Sequence, residues 1–390
     1  MHDAGIPLRL QAFDITPTRG YLPPNDPLTR LNPTFRELED LAAELPELLA
    51  AQRLRPKLEK LSLSDVKFLY PNEYERAHML AAFLVHGCIW EHWQEDRVTP
   101  VIPASIAPFI VAVSKQTDHP PVLSYVSYAL HNWRRIDPKG PVELGNIALM
   151  QYFLGGLDEA WFTLVHVAME AQAGPAVHAA LRAQEAAMSG DSAECERRLS
   201  TLHSALTSVN AVFWRMPERC DPYIYYNRVR PWIHGWKNHP LTPDGVVYEG
   251  VAEFDGKPQK FRGETGAQSS ITPLLDAALG VVHESSVLSE HLLEMRQYMP
   301  VGHRTLIEVV EKRPPIRLFA ERHQNVREIF NACLDELSRF RTKHREYAAD
   351  YIHKQARVQT GANPTSVGTG GTDFMPSLKK HRDETLTTKV

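Results

Sequence analysis

Cysteine is scarce: four residues in 390, at positions 88, 195, 220 and 333. No two stand at metal-ligand spacing. Four scattered thiols in so long a chain exclude a disulfide scaffold and point to a reducing compartment. Long apolar runs are missing as well. No segment approaches the ~20 residues that a membrane span needs, and residues 1–20 hold no apolar run of signal-peptide length. The expectation is a soluble, cytoplasmic protein with no membrane partner. Blocks of one charge are absent too. With 43 Lys+Arg against 47 Asp+Glu spread along the chain, the net charge of -4 offers no basic face to nucleic acid. There is no internal repeat and no zinc motif such as H-E-x-x-H.

Strand patterns are nearly missing. The single signal is Val246-Val247-Tyr248, separated by Asp255-Gly256 from a short run ending at Phe261, which reads as one small hairpin. Everything else has helical spacing, so the class is all-α with at most one hairpin. The first thirty residues, rich in Pro and Thr, read as an extended arm. Asn32-Pro33 caps a helix whose stripe is Phe35, Leu38, Leu41, Leu45 and Leu48. A second helix is expected from about Ser64 and a third from Asn72 through Ile89. Pro121 leads into another, which holds Leu123 to Trp133. From Asp158 a long helix is apolar nearly all round and should be buried. Further helices are expected over Ser192 to Phe213, and from Ser270 to the long helix Arg327 to Lys354, with a break at Pro300. Residues 357–372, rich in Gly, Ser and Thr, read as a mobile loop. The length exceeds what one core usually fills. The turns at Asp137-Pro138-Lys139-Gly140 and Gly155-Gly156 then suggest a small domain over 1–150 and a large one over 151–390.

Two histidines interrupt apolar stripes. His344 continues the sevenfold series Phe330, Leu337, His344, Tyr351. His166 stands one turn after Phe162 in an apolar helix. A buried imidazole must satisfy both ring nitrogens. A hydrogen bond to a neighbour does so, and from spacing alone that is the commoner outcome. Axial ligation of haem iron, with a second partner on the other nitrogen, does so as well. The segment Tyr223 to Lys237 sets Arg228 and Arg230 among aromatics. That is either a stacked surface stretch or a site where a guanidinium fork grips the carboxylate of an aromatic amino acid. Gly263-Glu264-Thr265-Gly266 opens a helix whose N-terminus favours an anion.

Together these segments resemble the indoleamine 2,3-dioxygenase family. The resemblance rests on Tyr226-Asn227-Arg228-Val229-Arg230-Pro231-Trp232 with Gly235-Trp236-Lys237, and on Gly263 to Ser270 followed by Asp276 to Gly280. It continues through Met295 to Pro300, Phe340-Arg341-Thr342-Lys343-His344 and Gly368 to Thr372, and covers most of residues 120–382. It implies haem b between a small and a large helical domain, with His344 as the iron ligand. It also implies an enzyme of tryptophan catabolism in the kynurenine pathway, which uses O2 and an electron donor to make N-formylkynurenine. Arg230 falls on the carboxylate-binding position, Tyr225 beside it, and Tyr125, Tyr128 and Phe162 on the substrate wall. The loop around Thr265 and Gly266 matches the segment near the substrate ammonium and a haem propionate, so Thr265 falls near the substrate, while Ala129, Gly266 and Arg341 fall against the cofactor. Gly368 to Thr372 matches a closing loop. His166 departs from the serine usual in vertebrate-type members and matches the distal histidine of tryptophan 2,3-dioxygenases. A haem peroxidase or peroxygenase acting on an aromatic substrate is the alternative.

Overall fold

The computed structural model describes residues 8–95, 97–284, 287–356, 368–369 and 375–390. It is built of helices, with two very short strand pairs among the described residues. Trp133–Arg135 pairs antiparallel with Ile147–Leu149 across the turn at Asp137 to Gly140. The expected hairpin is different in kind. Val247–Tyr248 pairs in parallel with Val101–Ile102, and the later run meets it only through a Val246–Gln259 bridge. The partner strand lies far back in the chain, where local turn signals do not reach.

The long helix is found at Leu157–Ser189 and the next at Ser192–Phe213. The corner between them is local chemistry. Gly190 takes the left-handed conformation that ends the first helix (φ 79°), and the Asp191 side chain accepts from the Glu194 N–H at 2.9 Å to start the second. Ser192–Phe213 in turn packs on Gln324–Ala348, the helix carrying His344. These three form the layer around which the site is built.

Other expectations shift. The stripe from Phe35 to Leu48 is divided between Arg36–Ala43 and Leu45–Ala50, because Pro46 cannot donate inside a continuous helix. No α-helix begins at Ser64; the segment holds the 3-10 turn Val66–Phe68. Leu123 to Trp133 is a π-helical turn, Val126–Leu130, followed by strand. The N-terminal arm is not splayed out: Leu10, Ile15 and Tyr21 are buried against the long helix. Gly20 and Gly174 let the backbones touch there, since a Cβ on Gly174 would lie 2.6 Å from the Gly20 nitrogen.

The apolar interior falls into clusters. The largest joins the arm to the helices between Trp161 and Tyr351. A second unites residues 31–128 with Trp232, Trp236, Tyr248 and Tyr298. Phe162 packs against both, so their seam runs beside the helix that carries His166. No helix among the described residues is long and apolar enough to cross a membrane.

Candidate active site

A cavity of about 730 Å³ lies along that seam, within the ~300–1,000 Å³ range of ligand sites. Tyr125, Phe162, His166 and Tyr225 line it together with His344 and the loop at Thr265 and Gly266. Its aromatic rings pack edge to face and tilted. Phe162 lies 4.8 Å from His166 and 4.7 Å from Tyr225, and Tyr125 meets His166 edge-on at 6.0 Å. Three π-helical turns adjoin the space: Val126–Leu130 beside Tyr125, Tyr225–Val229, and Ala349–His353 after the His344 helix. Such turns shift side chains out of helical register and are frequent at functional sites.

His344 belongs to a helix packed inside the molecule, yet its own surface is exposed. Both hold because the ring opens onto the cavity. Burial, then the charge of nearby His166, push its pKa down to about 4, so the ring is neutral at pH 7. No hydrogen bond reaches either ring nitrogen from the described residues, so the second-nitrogen partner expected from sequence is not among them. A neutral imidazole whose nitrogens take no hydrogen bond from the described residues, and which opens onto a large cavity, fits a metal-bearing cofactor.

His166 is fixed differently. Its Nδ1 donates to the Phe162 carbonyl at 2.8 Å. A carbonyl can only accept, so Nδ1 carries the proton and Nε2 is left as an acceptor. Burial lowers its pKa and keeps the ring neutral.

Four residues later Glu170 is fully buried. Its Oε1 accepts from Tyr125 Oη at 2.9 Å and from Ser269 Oγ at 2.7 Å, while Oε2 has no partner. Burial pushes its pKa up to about 7. The bond network continues through Gln268, whose Oε1 accepts from the Tyr125 N–H at 2.8 Å and whose Nε2 donates to the Gly263 carbonyl at 2.9 Å. One aromatic wall and the 263–269 loop are thereby held together.

That loop is pinned again from behind. Gly235 and Gly263 cross backbone to backbone: a Cβ on Gly235 would sit 2.1 Å from the Gly263 nitrogen, and one on Gly263 2.2 Å from the Gly235 nitrogen. The Glu264 N–H donates to the Ile233 carbonyl at 3.1 Å. Thr265 then starts the 3-10 turn Gly266–Gln268, its hydroxyl accepting from the Ala267 N–H. Where sequence reasoning read an anion-favouring helix start, the structure puts a carboxyl on the cavity wall. Glu264 is 3% exposed, and burial pushes its pKa up to about 8.

Not every expected residue reaches the cavity surface. Arg230 is fully buried beside Tyr225 and over the ring of Tyr226, at 5.7 Å, and does not line the space. Tyr128 stands behind Phe162 (6.4 Å between rings) and stacks on Phe83 at 5.9 Å. Ala129 is likewise buried behind the wall. Arg341 borders the cavity, but its guanidinium is engaged by both oxygens of Asp276 at 2.8 and 2.6 Å. Gly368 and Thr369 line the cavity; the rest of the expected closing loop, 370–372, lies outside the described residues. Glu264, Gln268 and Ser269 were missed as side chains. Glu170 had a readable signal, since it is four residues from His166 on the same helix.

A family model described as indoleamine 2,3-dioxygenase matches residues 9–388. Indoleamine 2,3-dioxygenase 1 of Rattus norvegicus is 31% identical over 389 residues, covering 96% of this chain and 94% of that protein. Indoleamine 2,3-dioxygenase 2 of Homo sapiens is 30% identical, with 98% and 95% covered. A third relative, an indoleamine 2,3-dioxygenase of Aspergillus candidus, is 32% identical with 97% of each chain covered.

Proposed function

Because the chain belongs to the indoleamine 2,3-dioxygenase family, we propose that it is a haem-dependent dioxygenase that cleaves the indole C2–C3 bond of L-tryptophan or a related indoleamine. O2 is the co-substrate and N-formylkynurenine the product. The observation that carries this reading is His344, a neutral imidazole without a protein partner among the described residues, opening onto a cavity walled by aromatic rings. Haem b, when bound there, supplies the iron that activates O2 toward the indole. An external electron donor keeps that iron ferrous.

His344 would hold the iron, with Gly266, Ala129 and Arg341 near the cofactor. Tyr125, Phe162 and Tyr225 would enclose the indole, with Tyr128 setting the depth of the wall from behind. His166 Nε2 would accept the indole N–H and orient the ring, its proton already fixed on Nδ1. Arg230 would pair with the substrate carboxylate by turning toward the cavity past Tyr225, and Thr265 would border the amino-acid end. Positioning of this kind removes several kcal/mol of entropic barrier from the encounter. The division into a small part, 1–150, and a large part, 151–390, enters the same reading. Its support is the pair of apolar clusters, although each draws residues from both parts. Four buried free thiols agree with a reducing, cytoplasmic setting. Nothing found favours the peroxidase alternative.

The test is turnover by haem-loaded protein with ascorbate, O2 and L-tryptophan. Mass analysis after 18O2 should find both labelled atoms in N-formylkynurenine. His344→Ala should purify without haem while keeping its helical circular dichroism. Haem-loaded protein that turns over peroxide but no indole with O2 would refute the assignment.

A further inference from the structure

Beyond the aromatic wall, a second group of histidines meets a carboxylate at the border of the cavity. His283, His381 and Glu384 can each offer a ligand atom, and these atoms lie within 4.8 Å of one another. His381 and Glu384 stand three positions apart on the helix Met375–Thr387, so both share one face of it. His283 comes from a distant part of the chain, 101 positions before Glu384. It follows Gly280, whose left-handed conformation (φ 86°) ends the helix Ile271–Leu279. Its ring stacks on that of His381, with centroids 4.0 Å apart.

We propose that His283, His381 and Glu384 form a binding site for a divalent transition-metal ion of the zinc class, which clips the helix Met375–Thr387 to the border of the cavity. Two of the ligands are already oriented from behind. His283 Nε2 meets Asp276 Oδ2 at 3.1 Å, and Arg341 holds that carboxylate through both oxygens. A metal-bound imidazole typically donates its second N–H to a carboxylate in this way. Nδ1 is thereby left for the ion, and it faces Glu384 Oε2 at 2.5 Å. The other oxygen, Oε1, accepts from the Glu284 N–H at 3.2 Å and lies 3.7 Å from Lys380 Nζ. Oε2 is therefore the ligand oxygen. Among the described residues no hydrogen bond reaches a ring nitrogen of His381, which is open to make the third bond. Without metal, a carboxylate can only accept, so a proton on Nδ1 bridges His283 to Glu384; the ion takes the place of that proton. Zinc bonds of ~2.0–2.2 Å in a tetrahedron set donors ~3.3–3.5 Å apart, so modest rotations of these half-buried side chains close the cluster. Two imidazoles with one carboxylate select a transition ion over magnesium or calcium, which prefer oxygen. His283 and His381 line the cavity, which gives the ion its way in.

Titration calorimetry of haem-loaded, EDTA-washed protein with Zn2+ tests this without recourse to activity. Wild type should take up a single equivalent. Its Tm should rise by about 3 °C at free Zn2+ 100 times Kd, and EDTA should reverse the rise. His381→Ala and Glu384→Gln should each weaken Zn2+ by more than about 100-fold, the upper end of the cost of losing a mere supporting partner. Glu284→Gln is the control: its exposed side chain pairs with Lys380 and offers the cluster only its backbone, so affinity should stay within about threefold. The ligand side chains are half-buried, so circular dichroism should show the helices retained in each variant. Wild-type protein that takes up no Zn2+ would overturn the proposal. So would Zn2+ that binds His381→Ala and Glu384→Gln as tightly as wild type, because the ion would then lie elsewhere.

Discussion

Replacing Glu170 by Gln removes one ionisation from behind the cavity wall, where Tyr125 and Ser269 meet it, while keeping the shape of the side chain. In the folded chain this carboxyl keeps its proton up to about pH 7, against an ordinary value of 4.5. Its folded pKa is raised, so between those values the folded state holds more protons than the unfolded state. Wild-type stability therefore falls as pH rises through that window. A tenfold change in proton affinity is worth ~1.36 kcal/mol, which makes the full loss about 3 kcal/mol by about pH 8.5. Gln carries no such cost at any pH, and it can still accept from Tyr125 and Ser269. With an unfolding entropy of ~2.1 cal/mol/K per residue over the whole chain, that difference corresponds to about 4 °C in Tm. Paired thermal scans at equal haem loading should show the two proteins together near pH 4.5 and the variant higher by that amount near pH 8.5. A difference in Tm that stays constant across the window would refute the reasoning, because only a proton bound by Glu170 in the folded state makes it grow.

Two further outcomes follow from the geometry. Gly235→Ala should cost about 3 kcal/mol or more, since the new methyl would lie 2.1 Å from the Gly263 nitrogen; a melting temperature within a degree of wild type would show that the crossing can yield. His166→Ala should weaken L-tryptophan binding by about fivefold, the worth of one neutral hydrogen bond, and leave 1-methyltryptophan, which has no indole N–H, unchanged. Equal losses for both would remove the acceptor role from Nε2.

Legibility followed the range of the interactions involved. The corner at Gly190-Asp191 and the helix bounds at Ser192 and Phe213 could be read because cap and terminator are neighbours in the chain. The buried character of the Leu157–Ser189 helix followed from apolar residues on every side. The split at Pro46 was also local, and was overlooked because the apolar stripe continues across it. The parallel pairing of Val247 with Val101 was out of reach, since 146 positions separate the partners and no pattern in either segment names the other. At the site, His344 and His166 stood out as polar residues on apolar stripes. Glu264 did not, because an acid in a Gly-rich loop looks solvated until a second chain segment covers it. Nor could spacing tell that Arg230 would stand behind Tyr225 while Tyr225 itself reached the cavity. That choice belongs to packing between elements.

The Gly235–Gly263 crossing also bears on how such a site can diversify over generations. In most packed positions a larger residue on one side can be offset by a smaller one opposite. Here both sides are already the smallest residue, and what each would strike is backbone, which no substitution can trim. Neither position has a second-site repair, so active descendants of this chain must retain both glycines together. Variation in substrate choice is then channelled into the side chains carried on either flank, with position 264 the nearest of them to the cavity.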